Sequence, residues 1–277
     1  MNAKLFITGI QSNLYWEDKV ANLNMFEKKI NSIKESTEII VLPEMFSTGF
    51  SMNPEKLGEQ MDGETVQWMR RISSEKNLIL TGSVIIGQAA QSGQIEYFNR
   101  LIWMLPNGEY GFYDKRHLFA YASEDKHYTK GNKRLIATAN GWKINLQICY
   151  DLRFPIWSRL TTNPSPQSGK GAAALEYDVI IYVANWPDRR SNAWKTLLQA
   201  RAIENQCYVV GVNRIGKDAD NNNHAGDSMV VDPLGEVLYH LKDDEDTFTC
   251  NLEKSHLESI RQKLPFWKEA DAFRILE

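Results

Sequence analysis

Short apolar runs alternating with amphipathic helical stretches constrain this chain most, because a strand that is apolar throughout must be covered on both faces. Lys4 to Gln11 reads as a buried strand, and Trp16 to Lys34 as a helix carrying Val20, Leu23, Phe26, Ile30 and Ile33 on one face. Glu38 to Leu42 is a second strand, Glu64 to Lys76 a second amphipathic helix, and Leu78 to Ile86 a third strand rich in branched residues. Phe98 to Leu105 and Glu109 to Tyr113 flank Asn107-Gly108, a pair that readily takes the positive φ values of a hairpin turn, so the sheet content is mixed.

Beyond a loop, Arg134 to Thr138 and Lys143 to Ile148 form another strand pair, and Phe154 to Leu160 reads as the start of a helix. Val179 to Ala184 is a buried strand, followed by a helix from Asn192 to Asn205 and a returning strand from Cys207 to Asn213. Asp232-Pro233-Leu234-Gly235 joins Ser228 to Val231 with Glu236 to Tyr239, before a strand from Thr247 to Leu252 and a terminal helix. Thr161 to Gly171 is rich in Pro, Ser, Gly and Asn, but the alternation resumes directly after it. It is therefore expected to be a surface insertion in a single α/β domain covering residues 1–277.

A chain that is 43% hydrophobic and 24% charged has enough apolar surface for a sizeable core. Its net charge of -3 lacks the basic footprint of a nucleic-acid binder, so no nucleic-acid partner is expected. Leu5 to Ile10 is shorter than a signal-peptide core and no run approaches a membrane-spanning length, so a cytoplasmic protein without a membrane partner is expected. The three cysteines, Cys149, Cys207 and Cys250, form no Cys-x-x-Cys pair, and the five histidines no His-x-x-x-His pair; neither a disulfide framework nor a metal is expected. The chain also lacks a Gly-x-Ser-x-Gly elbow, a phosphate loop and a dinucleotide-binding glycine turn.

Three positions carry candidate chemistry. Glu44 follows Ile39-Ile40-Val41-Leu42-Pro43, at the carboxyl end of a strand where ligands of α/β sheets collect; it is a candidate general base or simply a surface carboxylate. Cys149 stands between a strand and a helix start, where aligned N–H groups and any nearby cation would lower the thiol pKa, although most cysteines are small buried hydrophobes. Cys207 and Cys250 read as buried strand residues. Lys115 follows the hairpin in a mixture of charges and aromatics, and could hold an oxyanion in a dry pocket or face solvent as loop lysines usually do.

Together, Val41-Leu42-Pro43-Glu44, Tyr113-Asp114-Lys115-Arg116-His117-Leu118-Phe119 and Ile148-Cys149-Tyr150-Asp151-Leu152-Arg153-Phe154-Pro155 resemble, in order, the three signature segments of the nitrilase (carbon-nitrogen hydrolase) superfamily. Ala184-Asn185-Trp186-Pro187, the stretch Gln199 to Gln206, and Gly226-Asp227-Ser228 extend the resemblance over nearly the whole chain; the insertion from Thr161 to Gly171 is the main departure. The resemblance implies an αββα sandwich that usually forms a homodimer, with mixed sheets covered by helices. It also implies Glu44, Lys115 and Cys149 as the catalytic set, Glu124 as a second glutamate in preference to the shorter Asp125, and no organic or metal cofactor. Met45 to Phe50 and Asn185-Trp186-Pro187 followed by Trp194 are most similar to ω-amidases, which hydrolyse 2-oxoglutaramate and 2-oxosuccinamate to 2-oxo acids and ammonia.

In the mechanism so implied, Glu44 takes the thiol proton, Cys149 attacks a small-molecule amide, and Lys115 with the Tyr150 backbone N–H holds the oxyanion of a thioester-forming step. Arg153, four residues after the cysteine, is the candidate for binding a distal carboxylate, with a salt bridge to Asp151 or another local acid as its equally weighted alternative. Tyr121, Trp186 and Arg189 are further pocket candidates. The rivals are another amide hydrolase of the same fold such as a nitrilase or carbamoylase, an inactive binding protein, and a Cys-His-Asn hydrolase using His127.

Overall fold

The computed structural model describes residues 4–163, 174–271, 273 and 275. Its first half contains β1 (Lys4–Gln11), α1 (Lys19–Ser32), β2 (Ile39–Val41), α2 (Pro54–Leu57), α3 (Glu64–Lys76), β3 (Ile79–Ala89), β4 (Ile95–Met104) and β5 (Tyr110–Asp114). After α4 (Glu124–His127) come β6 (Ile136–Ala139), β7 (Trp142–Ile148), α5 (Pro155–Ser158), the pair β8 (Thr162–Asn163) and β9 (Ala174–Leu175), and β10 (Val179–Ala184). Then follow α6 (Ser191–Asn205), β11 (Tyr208–Asn213), β12 (Ile215–Lys217), β13 (Asn223–Val231), β14 (Val237–Lys242), β15 (Asp246–Glu253) and α7 (Lys254–Lys263).

Two mixed sheets result. The first runs β15-β1-β2-β3-β4-β5, with β1, β2 and β3 parallel and the rest antiparallel. The second runs β12-β13-β11-β10-β7-β6, with β14 also on β13 and a parallel centre of β7, β10 and β11. Alternation along each strand assigns the faces: Leu5, Ile7, Ile39 and Val41 of the first sheet pack in one core with Ile144, Leu146, Val179 and Ile181 of the second. The opposite face, with Ile10, Ile40 and Leu80, is covered by Leu23, Phe26 and Ile30 of α1 and by Val66, Met69 and Ile72 of α3. Trp194 and Leu198 of α6 cover the second sheet at β11, where a Cβ on Gly211 would come within 2.7 Å of Leu198 and 2.8 Å of Trp194. The layers are helix, sheet, sheet, helix, as expected.

The helix bounds differ from the expectation in informative ways. Asp18 caps α1 by accepting from the Ala21 N–H at 3.0 Å, so the helix begins at Lys19 rather than Trp16. Val20 is 58% exposed; at 3.6 residues per turn it points about 90° away from the mean direction of Leu23, Phe26 and Ile30. The helix expected from Phe154 shrinks to the short α5, because Pro155 lacks an N–H and starts a new turn, while Arg159 is already extended. Cys207 sits one residue before β11, not within it, although it is fully buried as expected. Of the expected insertion, Thr161 to Asn163 leads into the β8–β9 pair, and residues 164–171 lie outside the described residues.

The Gly211 contact yields a stability prediction: Gly211→Ala should destabilise the protein by about 1–3 kcal/mol through overpacking against Trp194 and Leu198. Chemical denaturation would measure it, and a midpoint equal to wild type would mean that α6 yields freely.

Candidate active site

The parallel strands of the two sheets end at one place. Glu44 follows β2, Cys149 follows β7 and Asn185 follows β10, and the sheets are tied there: the Asn185 N–H donates to Glu44 Oε2 at 2.8 Å, and its side-chain amide donates to the Glu44 carbonyl. Lys115, one residue past β5, is fixed by its own N–H donating to the Asn99 carbonyl at 3.0 Å. Its ammonium donates to Glu44 Oε1 at 2.7 Å and to Glu124 Oε2 at 2.9 Å, with all three side chains at most 1% exposed. Asn99 bridges the carboxylates, its Nδ2 standing 2.8 Å from Glu44 Oε1 and 3.2 Å from Glu124 Oε1. The Phe119 N–H completes the set with a 2.6 Å bond to Glu124 Oε2. Asp125 is exposed, so the longer side chain at 124 is the one that reaches Lys115.

Cys149 opens a 3-10 turn, Cys149–Arg153, with φ at +44°, a left-handed conformation costing roughly 1–3 kcal/mol for such a residue. Asp151 holds that turn. Its Oδ2 accepts from the Ile148 N–H at 3.1 Å and the Tyr113 hydroxyl at 2.7 Å, while Oδ1 takes the His117 N–H at 3.0 Å. With Asp151 wholly buried and so engaged, Arg153 forms no ion pair with it, nor with any other acid among the described residues, which removes the salt-bridge alternative.

The thiol differs from expectation. Burial pushes the Cys149 pKa well above 9.0, and the charge and hydrogen bonding of Glu44 push it the same way, while Lys115 and the Asn185 N–H oppose them. The anticipated lowering by a helix start fails because burial and the negative charge of Glu44 outweigh the pull of the Lys115 cation. Burial alone would lower Lys115, but the charges of Glu124 and Glu44 outweigh it and hold the ammonium above its ordinary range. Burial also raises Glu124, against the pull of Lys115. The resting pair is thus a protonated thiol beside a carboxylate, not a thiolate.

A cavity of about 340 Å³ opens onto Cys149 and Lys115, a size suited to a small molecule. The residues singled out from the sequence, Tyr150, Arg153, Tyr121, Trp186 and Arg189, all line it. Trp186 is 3% exposed beneath Arg153, whose guanidinium lies 4.9 Å from the ring centroid, whereas Tyr121 is 77% exposed at the mouth. His127 does not line the cavity, which disfavours it as a base. Sequence reasoning missed Asn99, Asp151 and the cavity-lining Arg190, and gave Asn185 no role in the site. Asn185 alone had a signal, as the first residue after an apolar strand.

A family model described as carbon-nitrogen hydrolase matches residues 7–262. The chain belongs to the carbon-nitrogen hydrolase family. This hydrolase is 40% identical to "Omega-amidase YafV" of Escherichia coli (strain K12) over 98% of each chain, and 29% identical to "2-oxoglutaramate amidase" of Bacillus subtilis (strain 168) over 96% of this chain and 97% of that one. Among solved structures, XC1258 from Xanthomonas campestris, a CN-hydrolase superfamily protein with an arsenic adduct in the active site, superposes with a TM-score of 0.91 at 36% identity, covering 99% of both chains. The hydrolase is an enzyme that cleaves amide C–N bonds. No helix among its described residues is long and apolar enough to cross a membrane.

With its thiol pKa raised, the hydrolase should show no Cys149-dependent thiolate absorbance at neutral pH, the signal emerging only above the ordinary range of a cysteine thiol. An ultraviolet pH titration of wild type minus Cys149→Ala would read this; a thiolate step below neutrality would overturn the electrostatic description.

Proposed function

We propose that the enzyme is an ω-amidase that hydrolyses small 2-oxo dicarboxylic acid monoamides, such as 2-oxoglutaramate and 2-oxosuccinamate, through a thioester on Cys149. The observation that carries this reading is the meeting of Cys149, Glu44 and Lys115 with an arginine-lined cavity of small-molecule size. The names of the two relatives point to the same chemistry.

In this mechanism Glu44 takes the proton from the Cys149 thiol as Sγ attacks the amide carbon, so no free thiolate need build up beforehand. The carbonyl oxygen gains negative charge and is met by the Lys115 ammonium and the Tyr150 N–H. Collapse breaks the C–N bond, and the proton held by Glu44 passes to the departing ammonia. Water then gives a proton to Glu44 and its oxygen attacks the thioester; the sulfur leaves and recovers that proton. Glu124 acts through Lys115, which it holds against the oxyanion position. Arg153, stacked on Trp186 with its in-plane N–H donors clear, binds the distal carboxylate.

An ammonia-release assay across short ω-amides tests the assignment, and turnover restricted to nitriles or N-carbamoyl substrates would replace it with another reaction of the family. Cys149→Ala should abolish turnover. Glu44→Gln should slow both half-reactions by about 10²-fold to 10⁴-fold, and Lys115→Met should cost roughly 3–4 kcal/mol in kcat. Rates within about threefold of wild type are too small a loss for either role. Arg153→Lys should raise KM for 2-oxoglutaramate far more than for butyramide; equal losses on both would leave Arg153 a structural residue.

A further inference from the structure

Three arginines, Arg153, Arg189 and Arg190, line the cavity that holds Cys149. Each guanidinium lies against a different aromatic ring: Arg153 at 4.9 Å from the Trp186 centroid, Arg189 at 5.9 Å from Tyr121, and Arg190 at 5.0 Å from Phe119. Among the described residues, none of the three guanidinium groups donates a hydrogen bond or enters a salt bridge, whereas the guanidinium of every other described arginine donates at least one hydrogen bond to the protein. A guanidinium held through its face keeps its in-plane fork of N–H donors open. Two acids also line the cavity: Asp218 is occupied by the Asn222 backbone and side chain and by His224, and Asp220 enters no salt bridge with these arginines among the described residues.

Arg190 is the most firmly placed of the two arginines in the Asp188–Arg190 turn. Its platform, Phe119, is anchored through its own N–H to Glu124, and the Arg190 carbonyl accepts from Trp186 Nε1 at 2.8 Å, so the backbone of Arg190 and the ring beneath Arg153 are locked together. Tyr121, the platform of Arg189, is instead mostly exposed. Burial holds the Arg190 pKa below its ordinary value, with the charges of Arg189 and Arg153 adding to the effect and the Cys149 sulfur opposing it. A positive charge in that situation is relieved by an anion.

We propose that Arg190 reads the 2-oxo group of the substrate, clamping the oxo oxygen and the adjacent carboxylate oxygen while Arg153 takes the carboxylate's other edge. The inference rests on the ω-amidase reading and extends it to the basis of selectivity. A plain carboxylate offers one edge to one fork; a 2-oxo acid offers a second pair of neighbouring acceptors, which matches a second fork. An amino acid amide such as glutamine would instead set an ammonium among three guanidinium ions, so the same residues reject it by repulsion.

The test compares 2-oxoglutaramate, glutaramate (the same skeleton without the oxo group) and glutamine in wild type, Arg190→Gln and Arg190→Lys. Arg190→Gln should raise KM for 2-oxoglutaramate about tenfold or more, leave kcat and the glutaramate KM within about threefold, and raise the relative kcat/KM for glutamine. Arg190→Lys, which keeps the charge without the fork, should fall between for 2-oxoglutaramate and still reject glutamine. An equal change for both monoamides, or none, would overturn the role of Arg190. If wild type hydrolyses no ω-amide, the functional reading fails separately, and binding of 2-oxoglutarate and glutarate to Cys149→Ala with and without Arg190→Gln still decides the matter. Weaker binding confined to 2-oxoglutarate supports the clamp; equal binding rejects it.

Discussion

The buried contact of Lys115 with Glu44 and Glu124 is the constraint on which the rest of the site depends. An ammonium and two carboxylates, each at most 1% exposed, are taken out of water together, at a desolvation penalty of several kcal/mol per ion that only close pairing and complete hydrogen bonding offset. Both conditions are met. Glu44 accepts from Lys115, Asn99 and the Asn185 N–H, and Glu124 from Lys115, Asn99 and the Phe119 N–H. Apart from the Phe119 N–H, which lies in the loop before α4, these donors come from the ends or interiors of strands in both sheets, so the αββα stacking and the charge cluster stabilise one another.

The cluster also sets the state of the thiol. Because one cation is shared between two carboxylates, little positive potential is left over for Cys149, and a buried sulfur beside Glu44 keeps its proton. A site of this kind favours transfer during attack over a standing thiolate, and it suits one carboxylate that gives and takes a proton twice in each cycle. The left-handed backbone at Cys149 belongs to the same design: Asp151 gathers Tyr113, His117 and Ile148 around the turn and so maintains a conformation that the residue would not hold alone.

A covered mixed sheet and most strands were legible in the sequence, because strands buried on both faces leave continuous apolar runs and α3 carries a clear apolar stripe, whereas the αββα layering came from the resemblance of the motif segments. Glu44 stood out because it ends such a run, and Cys149 because it follows the alternating strand Lys143 to Ile148. Asn99 did not, since a polar residue inside β4 reads as one that faces solvent until register with β3 turns it inward. Neither did Arg190, because the direction of two successive arginines depends on the short turn that carries them, which no periodicity records. The thiol pKa was misjudged because it depends on a balance of burial and charges drawn from residues more than thirty positions away.

The central claim is that amide cleavage passes through a covalent adduct on Cys149. Rapid acid quenching of the enzyme during turnover of 2-oxoglutaramate, followed by peptide mass spectrometry, tests it most directly. The account predicts a peptide containing Cys149 that gains the mass of the substrate less ammonia, with no adduct in Cys149→Ala. Turnover without any adduct, or an adduct on Cys207 or Cys250, would contradict it.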